Sequence, residues 1–383
     1  MKNVVLLYCR ADNANYGDVY LLKRWIDRYR QDRPDLRLLA VMDAPRMQAL
    51  FADEPAVLVN GYLTQLVAAP AARDAPSPTP EEAARAGAAA ADRLLERDPD
   101  WRRLLGRVAW VHVCGGGYLN GMAPRSHRDV GVLSRLAERL GVPLYGTGLG
   151  LMPFGPASEA KAELFSRFTF VESRDSEGVA ELRALGAATE VIEGLDDSFV
   201  LPVQDDVDET PGRARLVLNF QKDMRSPALA QRDLERVVHA VQQLADEHGD
   251  ALDIEYLSFF DRNDLGPGEA IQRAVPRTRL RRCADLLHSG LPIRPGDLCL
   301  ATRFHFHLLA ARLGGRGVYL TGRGRFYAVK HASVARLGSG WINGDGPRPL
   351  APMLRGAAAP AIDEAGLAAR KAALVQRIFA TPS

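Results

Sequence analysis

The chain has 383 residues, of which 47% are hydrophobic and 25% charged, and its formal net charge is +2. This length predicts two domains rather than a single core, and the near-neutral charge argues against a nucleic-acid-binding protein. The four cysteines lack the paired spacing of a zinc site or a disulfide framework, which favours buried, reduced thiols in a cytosolic protein. We expect neither a signal peptide nor a membrane span, because the N-terminus lacks a cleavage site and no apolar run approaches about 18 residues.

The first half of the chain alternates short apolar segments with amphipathic helices. Residues 3–9 are typical of a buried strand, a helix follows up to about Pro34, and 37–43 is a second strand. This alternation predicts a parallel sheet. It is interrupted by an Ala/Pro-rich insertion, 67–100, in which Thr79 is the expected N-cap of a surface helix. Further strands are predicted within 108–117, 142–151, 168–186 and 190–202.

An acidic segment with proline and glycine, 203–214, has no apolar periodicity and is the expected linker. It separates an N-terminal domain, 1–202, from a C-terminal domain, 215–383, in which strands and helices alternate again. The predicted fold class is α/β, with two doubly wound Rossmann-like domains. Ligands of such sheets bind at the carboxyl ends of the strands, so we expect the site in the interdomain cleft.

Two glycine-rich segments follow strands of the N-terminal domain, "CGGGYLNG" at 114–121 and "GTGLGLMP" at 146–153. Gly116, Gly117 and Gly148 would let the backbone approach a ligand closely. Neither segment has a strict dinucleotide-binding pattern or a Walker lysine, so tight turns without a ligand fit equally well.

Polar residues at the predicted strand ends are candidates for chemistry. Asp18 lies at a helix start, where it suits either the helix dipole or proton abstraction at the cleft. Arg174 follows a strand and could bind a carboxylate or phosphate through a bidentate pair of hydrogen bonds. Asp175 is better suited to capping the next helix.

The segment "DLCLATRFHFHLLAARLGG" (297–315) begins like a buried strand and ends like a helix, with charged and imidazole side chains at the joint. Arg303 and His305 point the same way if the strand continues, and they differ by about 200° if the helix has started. His307 is expected to be a structural histidine that packs elsewhere. The following "YLTGRGRFYAVKH" segment supplies cations that form either a solvated loop or one wall of the cleft: Arg323, Arg325 and Lys330.

Seven segments in register resemble the polysaccharide pyruvyl transferase family: "NYGD", "CGGGYLN", "GTGLG", "SRDSEGVAELRALG", "DDSFVL", "TRFHFHLLAA" and "YAVKHASVARLG". The resemblance implies a glycosyltransferase-B-type architecture. It also implies transfer of the enolpyruvyl unit of phosphoenolpyruvate to a sugar, with closure of a cyclic pyruvate ketal. Thr147 and Leu151 depart from the family pattern, which leaves open a changed substrate or lost activity.

The resemblance also implies roles for single residues. The Arg-x-His motif falls on Arg303 and His305, and the Gly-Asp motif falls on Gly17 and Asp18. His305 would be the general acid and Asp18 the base for the acceptor hydroxyl. Phosphoenolpyruvate is the expected co-substrate, and no cofactor or metal is expected. Five cations at the predicted strand ends would bind it: Arg303, Arg174, Lys330, Arg323 and Arg325.

Two alternatives stay open at this point. One is a nucleotide-sugar-dependent glycosyltransferase of the same architecture. The sequence argues against it in one respect, because no acidic pair near "TRFH" is placed to hold a ribose. The other is a non-catalytic saccharide- or anion-binding relative. The expected acceptor is a saccharide, free or lipid-linked, and a homo-oligomer is left open. The expected location is cytoplasmic, with peripheral contact at the inner membrane face left open by the amphipathic segment 367–383.

Overall fold

The computed structural model describes residues 2–11, 15–41, 57–60, 78–203, 213–223, 226–322 and 325–381. They belong to two compact units. The first comprises residues 1–14, 18–201 and 367–383, and the second comprises residues 15–17 and 202–366.

The described residues of the first unit form a seven-stranded parallel sheet in the order β3-β2-β1-β4-β5-β6-β7. Every residue of the two central strands is buried, because helices cover both faces of a parallel sheet. The strands are β1 (Val4–Tyr8), β2 (Arg37–Val41), β3 (Val57–Asn60), β4 (Val108–Gly116), β5 (Leu144–Leu149), β6 (Phe170–Ser173) and β7 (Glu190–Glu193).

Helices connect these strands on either side of the sheet, and a single 3₁₀ turn, Asp197–Val200, follows β7 in the described chain. The α-helices are Tyr16–Asp32, Pro80–Arg97, Pro99–Leu105, Pro124–Leu140, Glu159–Ser166, Ser176–Ala184 and Glu364–Phe379.

The alanine-rich helix Pro80–Arg97 begins as predicted, with Thr79 as its N-cap in a capping box with Glu82. It is more than a surface helix, because one face packs tightly on the helix Pro124–Leu140. A Cβ added at Gly87 would lie 2.1 Å from a backbone oxygen of that helix, and small residues therefore set the close approach. The part of the insertion before residue 78 lies outside the described residues.

In the second unit the described residues form a six-stranded parallel sheet in the order β10-β9-β8-β11-β12-β13. Its strands are β8 (Ala214–Leu218), β9 (Leu252–Leu257), β10 (Arg279–Arg281), β11 (Leu298–Ala301), β12 (Arg316–Tyr319) and β13 (Ile342–Asn343). Its α-helices are Pro227–His248, Asp261–Ala274, Cys283–Ser289, Phe304–Arg312, Arg325–Arg336 and Leu350–Arg355.

Both sheets are doubly wound, which confirms the predicted fold class. The strand order reverses between β1 and β4 in the first unit and between β8 and β11 in the second. Loops that leave neighbouring strands at such a point diverge and open a crevice at the carboxyl edge. These two edges are where ligands of this fold bind.

The C-terminal segment departs from the predicted division of the chain. Residues 367–383 were expected in the C-terminal domain, but they belong to the first unit. The cause is a buried ion pair: Lys371 lies 2.5 Å from carboxylate oxygens of Glu172 and Asp197. No helix in the described ranges is long and apolar enough to cross a membrane.

Candidate functional site

The carboxyl edge of the second sheet is built by the loops that follow β8 and β11. Gln221 connects them: its backbone N–H donates to Thr302 Oγ1 at 2.7 Å, and its side-chain amide donates to the Thr302 carbonyl at 2.8 Å. The Tyr327 hydroxyl donates to the remaining Gln221 oxygen at 3.1 Å. All three side chains are buried, so this edge is held in one geometry.

Arg303, the N-cap residue of the helix Phe304–Arg312, is paired with a buried carboxylate. Its Nε and Nη2 atoms donate to Asp264 Oδ2 at 2.8 Å and Oδ1 at 2.6 Å. Burial acts to lower the pKa of Arg303, but the Asp264 carboxylate outweighs it and raises the pKa above its ordinary value. The guanidinium is therefore charged and engaged with Asp264, and its charge is largely offset within the protein.

His305 lies in the first turn of the same helix and is 9% exposed. Its imidazole contacts Gly17, a residue of the second unit, so closely that a Cβ added there would lie 1.9 Å from Nδ1. The preceding residue, Tyr16, donates from its backbone to the Phe259 carbonyl at 2.7 Å and packs its ring on Phe259. Two predicted site residues, Gly17 and His305, are thus brought together, and glycine is required for their contact.

His307 is a core residue, as predicted. Its Nδ1 lies 2.9 Å from His331 Nδ1 and its Nε2 lies 3.0 Å from Ser339 Oγ. The ring stacks on Trp341 with centroids 4.5 Å apart. Burial lowers the pKa of His307 well below the usual value, so the imidazole is neutral.

The predicted cationic wall is only partly described. Lys330 Nζ lies 3.5 Å from the centroid of the Phe326 ring on the same helix. Arg323 lies outside the described residues, and Arg325 opens the helix Arg325–Arg336 with a side chain that also lies outside them.

In the first unit, Asp18 and Gly116 meet at the point where the strand order reverses. Gly116 has φ +117°, and a Cβ added there would lie 3.1 Å from Asp18 Oδ1. The Asp18 carboxylate is therefore held beside the glycine-rich turn. Gly117 continues this turn, and its carbonyl accepts a hydrogen bond from the Asn120 side chain at 2.6 Å.

Gly148 has a structural explanation. It has φ +57°, and a Cβ added there would lie 2.7 Å from Asp197 Cγ. Asp197 in turn accepts hydrogen bonds from the Gly115 backbone at 2.7 Å and from Thr147 Oγ1 at 2.8 Å. The Thr147 hydroxyl, which departs from the expected family pattern, is thus part of a buried network.

Arg174 is paired inside the first unit. Its Nη1 lies 2.5 Å from Asp196 Oδ2, and both side chains are 3% exposed. Gly150 makes room for the guanidinium, because a Cβ there would lie 2.8 Å from Arg174 Nε. Asp175 caps the helix Ser176–Ala184 through the Gly178 backbone at 2.6 Å, as predicted.

A buried ion cluster in the first unit was not predicted. Lys371 from the C-terminal helix bridges Glu172 at the end of β6 and Asp197 in the 3₁₀ turn. Burial acts to lower the pKa of Lys371, but the two carboxylates raise it above its ordinary value. A lysine between apolar positions of an amphipathic helix is the sequence signal that could have revealed the cluster, since Leu374 and Val375 lie on the same buried face.

No family model and no curated relative matches the chain. Solved structures match its fold along nearly its whole length. The putative UDP-N-acetylglucosamine 2-epimerase from Listeria monocytogenes has a TM-score of 0.58 and 12% identity, covering 100% of this chain and 98% of that one. The UDP-GlcNAc 2-epimerase from Methanocaldococcus jannaschii has a TM-score of 0.57 and 12% identity, covering 99% of each chain. The Neisseria meningitidis UDP-GlcNAc 2-epimerase, bound to UDP-GlcNAc, has a TM-score of 0.52 and 12% identity, covering 99% of this chain and 100% of that one.

These findings correct the functional prediction. Assignment to the polysaccharide pyruvyl transferases is wrong, because no family model matches and the fold neighbours are nucleotide-sugar 2-epimerases. Phosphoenolpyruvate as partner and a pyruvate ketal as product are overturned with it. Within their own units, Arg303 and Arg174 are each paired with a buried carboxylate, Asp264 and Asp196, so the charge of each guanidinium is offset inside the protein. At this level of identity the comparisons show the fold, which is the glycosyltransferase-B-like α/β fold.

Proposed function

We propose that the protein is a nucleotide-sugar-dependent enzyme whose second unit binds the nucleoside diphosphate at the carboxyl edge of β8 and β11. The sequence-based alternative was narrower, a nucleotide-sugar-dependent glycosyltransferase of the same architecture. The proposal is supported by the reversal of strand order at that edge and by the full-length fold likeness to UDP-GlcNAc 2-epimerases.

The observation that carries the proposal is the balance of charge at the start of the helix Phe304–Arg312. Because Asp264 offsets Arg303, the attraction for an anion comes mainly from the backbone N–H groups of the first helical turn and the helix dipole. A diphosphate ester spreads its charge over two phosphoryl groups and suits such a neutral donor site.

His305 is the proposed acid–base group of this site. It lies one residue after the first residue of the helix, so its imidazole is carried beside any phosphate bound at the helix N-terminus. In this role His305 would donate a proton to the phosphate oxygen that departs when its bond to the sugar anomeric carbon breaks. The anomeric carbon would then either bond to an incoming oxygen or form a double bond to C2, and the proton released from that oxygen or from C2 would restore the acid. In the first unit, the Asp18 carboxylate is fixed beside Gly116.

The proposal is tested by incubating the full chain with UDP-GlcNAc and with GDP-, ADP- and dTDP-hexoses, and following the sugars by proton NMR. Conversion of at least one nucleotide sugar, by release of its nucleoside diphosphate or by inversion at a sugar carbon, is the expected result. Absence of both binding and conversion for every member of the panel would overturn the proposal.

A further inference from the structure

A cavity of about 510 Å³ lies in the second unit beside the loop that follows β8. We name it the β8–β9 cavity, because its walls come from the helices that follow β8 and β9. Pro227, Gln231 and Leu234 of the helix Pro227–His248 form one wall, and Asn263 and Pro267 of the helix Asp261–Ala274 form the other. A volume of several hundred Å³ is usual for sites that hold small organic ligands.

The chemistry of these walls suits a flat heterocycle. Two prolines and a leucine supply aliphatic surface for its faces, and the carboxamides of Gln231 and Asn263 supply both donors and acceptors for its edge. Gln231 Nε2 already donates to Glu235 Oε1 at 2.8 Å, which orients the amide and leaves its carbonyl as an acceptor. An exclusively anionic ligand would make no use of the aliphatic walls.

The position of the cavity connects it to the proposed diphosphate site. Asp223 lines the cavity, and its Oδ1 lies 3.5 Å from Arg303 Nη2. Arg303 is the N-cap of the helix Phe304–Arg312, so one ion pair joins the cavity to the proposed phosphate position. Lys222 also lines the cavity and is exposed, which places a cation on the same side.

We infer that the β8–β9 cavity receives the nucleobase of the nucleoside diphosphate whose phosphates lie at the start of the helix Phe304–Arg312. The inference rests on the proposed function and extends it. It assigns base recognition to Gln231 and Asn263, and it assigns contact with the sugar of the nucleoside to the Lys222–Asp223 segment.

The test compares two substitutions on one helix. Gln231→Trp would fill the cavity, and Gln243→Trp is its matched control. Both are surface glutamines that donate to a glutamate four residues later, Gln243 to Glu247 at 3.0 Å, so the helix loses the same interaction in each variant. Gln243 is 12 residues further along and therefore about 18 Å away. Calorimetric titration with UDP, GDP, ADP and dTDP selects the tightest ligand of the wild-type chain, and inorganic pyrophosphate is titrated beside it.

We expect Gln231→Trp to lower the affinity for the selected nucleoside diphosphate about tenfold or more, because base contacts are lost. Pyrophosphate affinity should stay within about twofold of wild type in both variants, and Gln243→Trp should bind the nucleotide like wild type. Unchanged nucleotide affinity in Gln231→Trp overturns the base assignment and leaves the proposed function standing. An equal loss of pyrophosphate affinity also overturns the base assignment, since the substitution would then act on the phosphate site. Absence of nucleotide binding in the wild-type chain overturns the base assignment and the proposed function together.

Discussion

Residue identities at this site are explained largely by their neighbours in the fold. The Arg303–Asp264 pair is the clearest case: Asp264, which is fully buried, also accepts hydrogen bonds from the backbone N–H groups of Phe259 and Phe260 at 2.9 and 3.0 Å. One carboxylate therefore joins the loop after β9 to the N-cap of the helix after β11. The arginine of the Arg-x-His pattern serves this connection.

Loss of the Asp264 charge should be costly. Asp264→Asn leaves the buried Arg303 cation with only the more distant, partly exposed carboxylate of Asp223, and we expect the free energy of unfolding to fall by about 3–5 kcal/mol. Urea unfolding followed by circular dichroism measures it. The double variant Asp264→Leu with Arg303→Met removes both charges and should recover a substantial part of the loss. If Asp264→Asn unfolds like wild type, the pairing contributes nothing and Arg303 is open to a ligand role after all.

The proposed role of His305 separates binding from turnover. His305→Gln keeps a hydrogen-bonding side chain but removes the acid–base group, so we expect kcat with the active nucleotide sugar to fall about 100-fold or more. Nucleoside diphosphate affinity should change little. The control is His239→Gln, a substitution on the helix Pro227–His248. His331→Gln is unsuitable as a control because it would alter the core around His307. A His305→Gln enzyme that turns over normally would refute the assignment.

At the scale of single elements, the buried strands were predicted well. Strands β1 and β4 stand out as apolar runs because a parallel sheet buries both of their faces. Strand β7, with glutamates at both ends, lies at the sheet edge and gave a weaker signal. The partner of the C-terminal helix could not be predicted, because an amphipathic pattern shows that a helix has a buried face and not which sheet it covers.

The ion cluster of the C-terminal helix should govern the stability of the first unit. Lys371→Met leaves Glu172 and Asp197 buried without a cation, and we expect a loss of about 3–5 kcal/mol in the free energy of unfolding near pH 8. Arg370→Met is the control, because that exposed neighbour donates only a 3.4 Å hydrogen bond to a carbonyl, that of Glu193.

The same variant should show an inverted pH dependence. Burial already raises the pKa of Glu172 above its ordinary value of 4.5, and Lys371 opposes that rise, so the pKa goes higher when the lysine is removed. A carboxyl with a raised folded-state pKa holds its proton more tightly when folded, so stability grows as the pH falls towards 4.5. We expect Lys371→Met to regain part of its lost stability between about pH 8 and pH 5 in urea titrations. A variant that loses stability over this range would contradict the buried-cluster account.

At the scale of the whole molecule, the sequence predicted the fold and misjudged the reaction for one physical reason. The segments that suggested a pyruvyl transferase contain residues that the fold itself requires. Gly17 and Gly148 leave room for the side chains of His305 and Asp197, which a Cβ at either position would meet. Arg303 is needed as the ion-pair partner of the buried Asp264. Constraints of this kind indicate an architecture, and one architecture supports many different reactions. The β8–β9 cavity had no sequence signal, because its walls come from helices that become neighbours only when β8 and β9 pair.

The central claim is that the carboxyl edge of the second sheet accepts a nucleoside diphosphate. It is tested most directly by isothermal titration of the full chain with UDP, GDP, ADP and dTDP, with phosphoenolpyruvate titrated under the same conditions. We predict saturable binding of at least one nucleoside diphosphate, with competition by the matching nucleotide sugar, and no saturable heat with phosphoenolpyruvate. Saturable binding of phosphoenolpyruvate, together with no binding heat from any of the four nucleotides, would contradict the account.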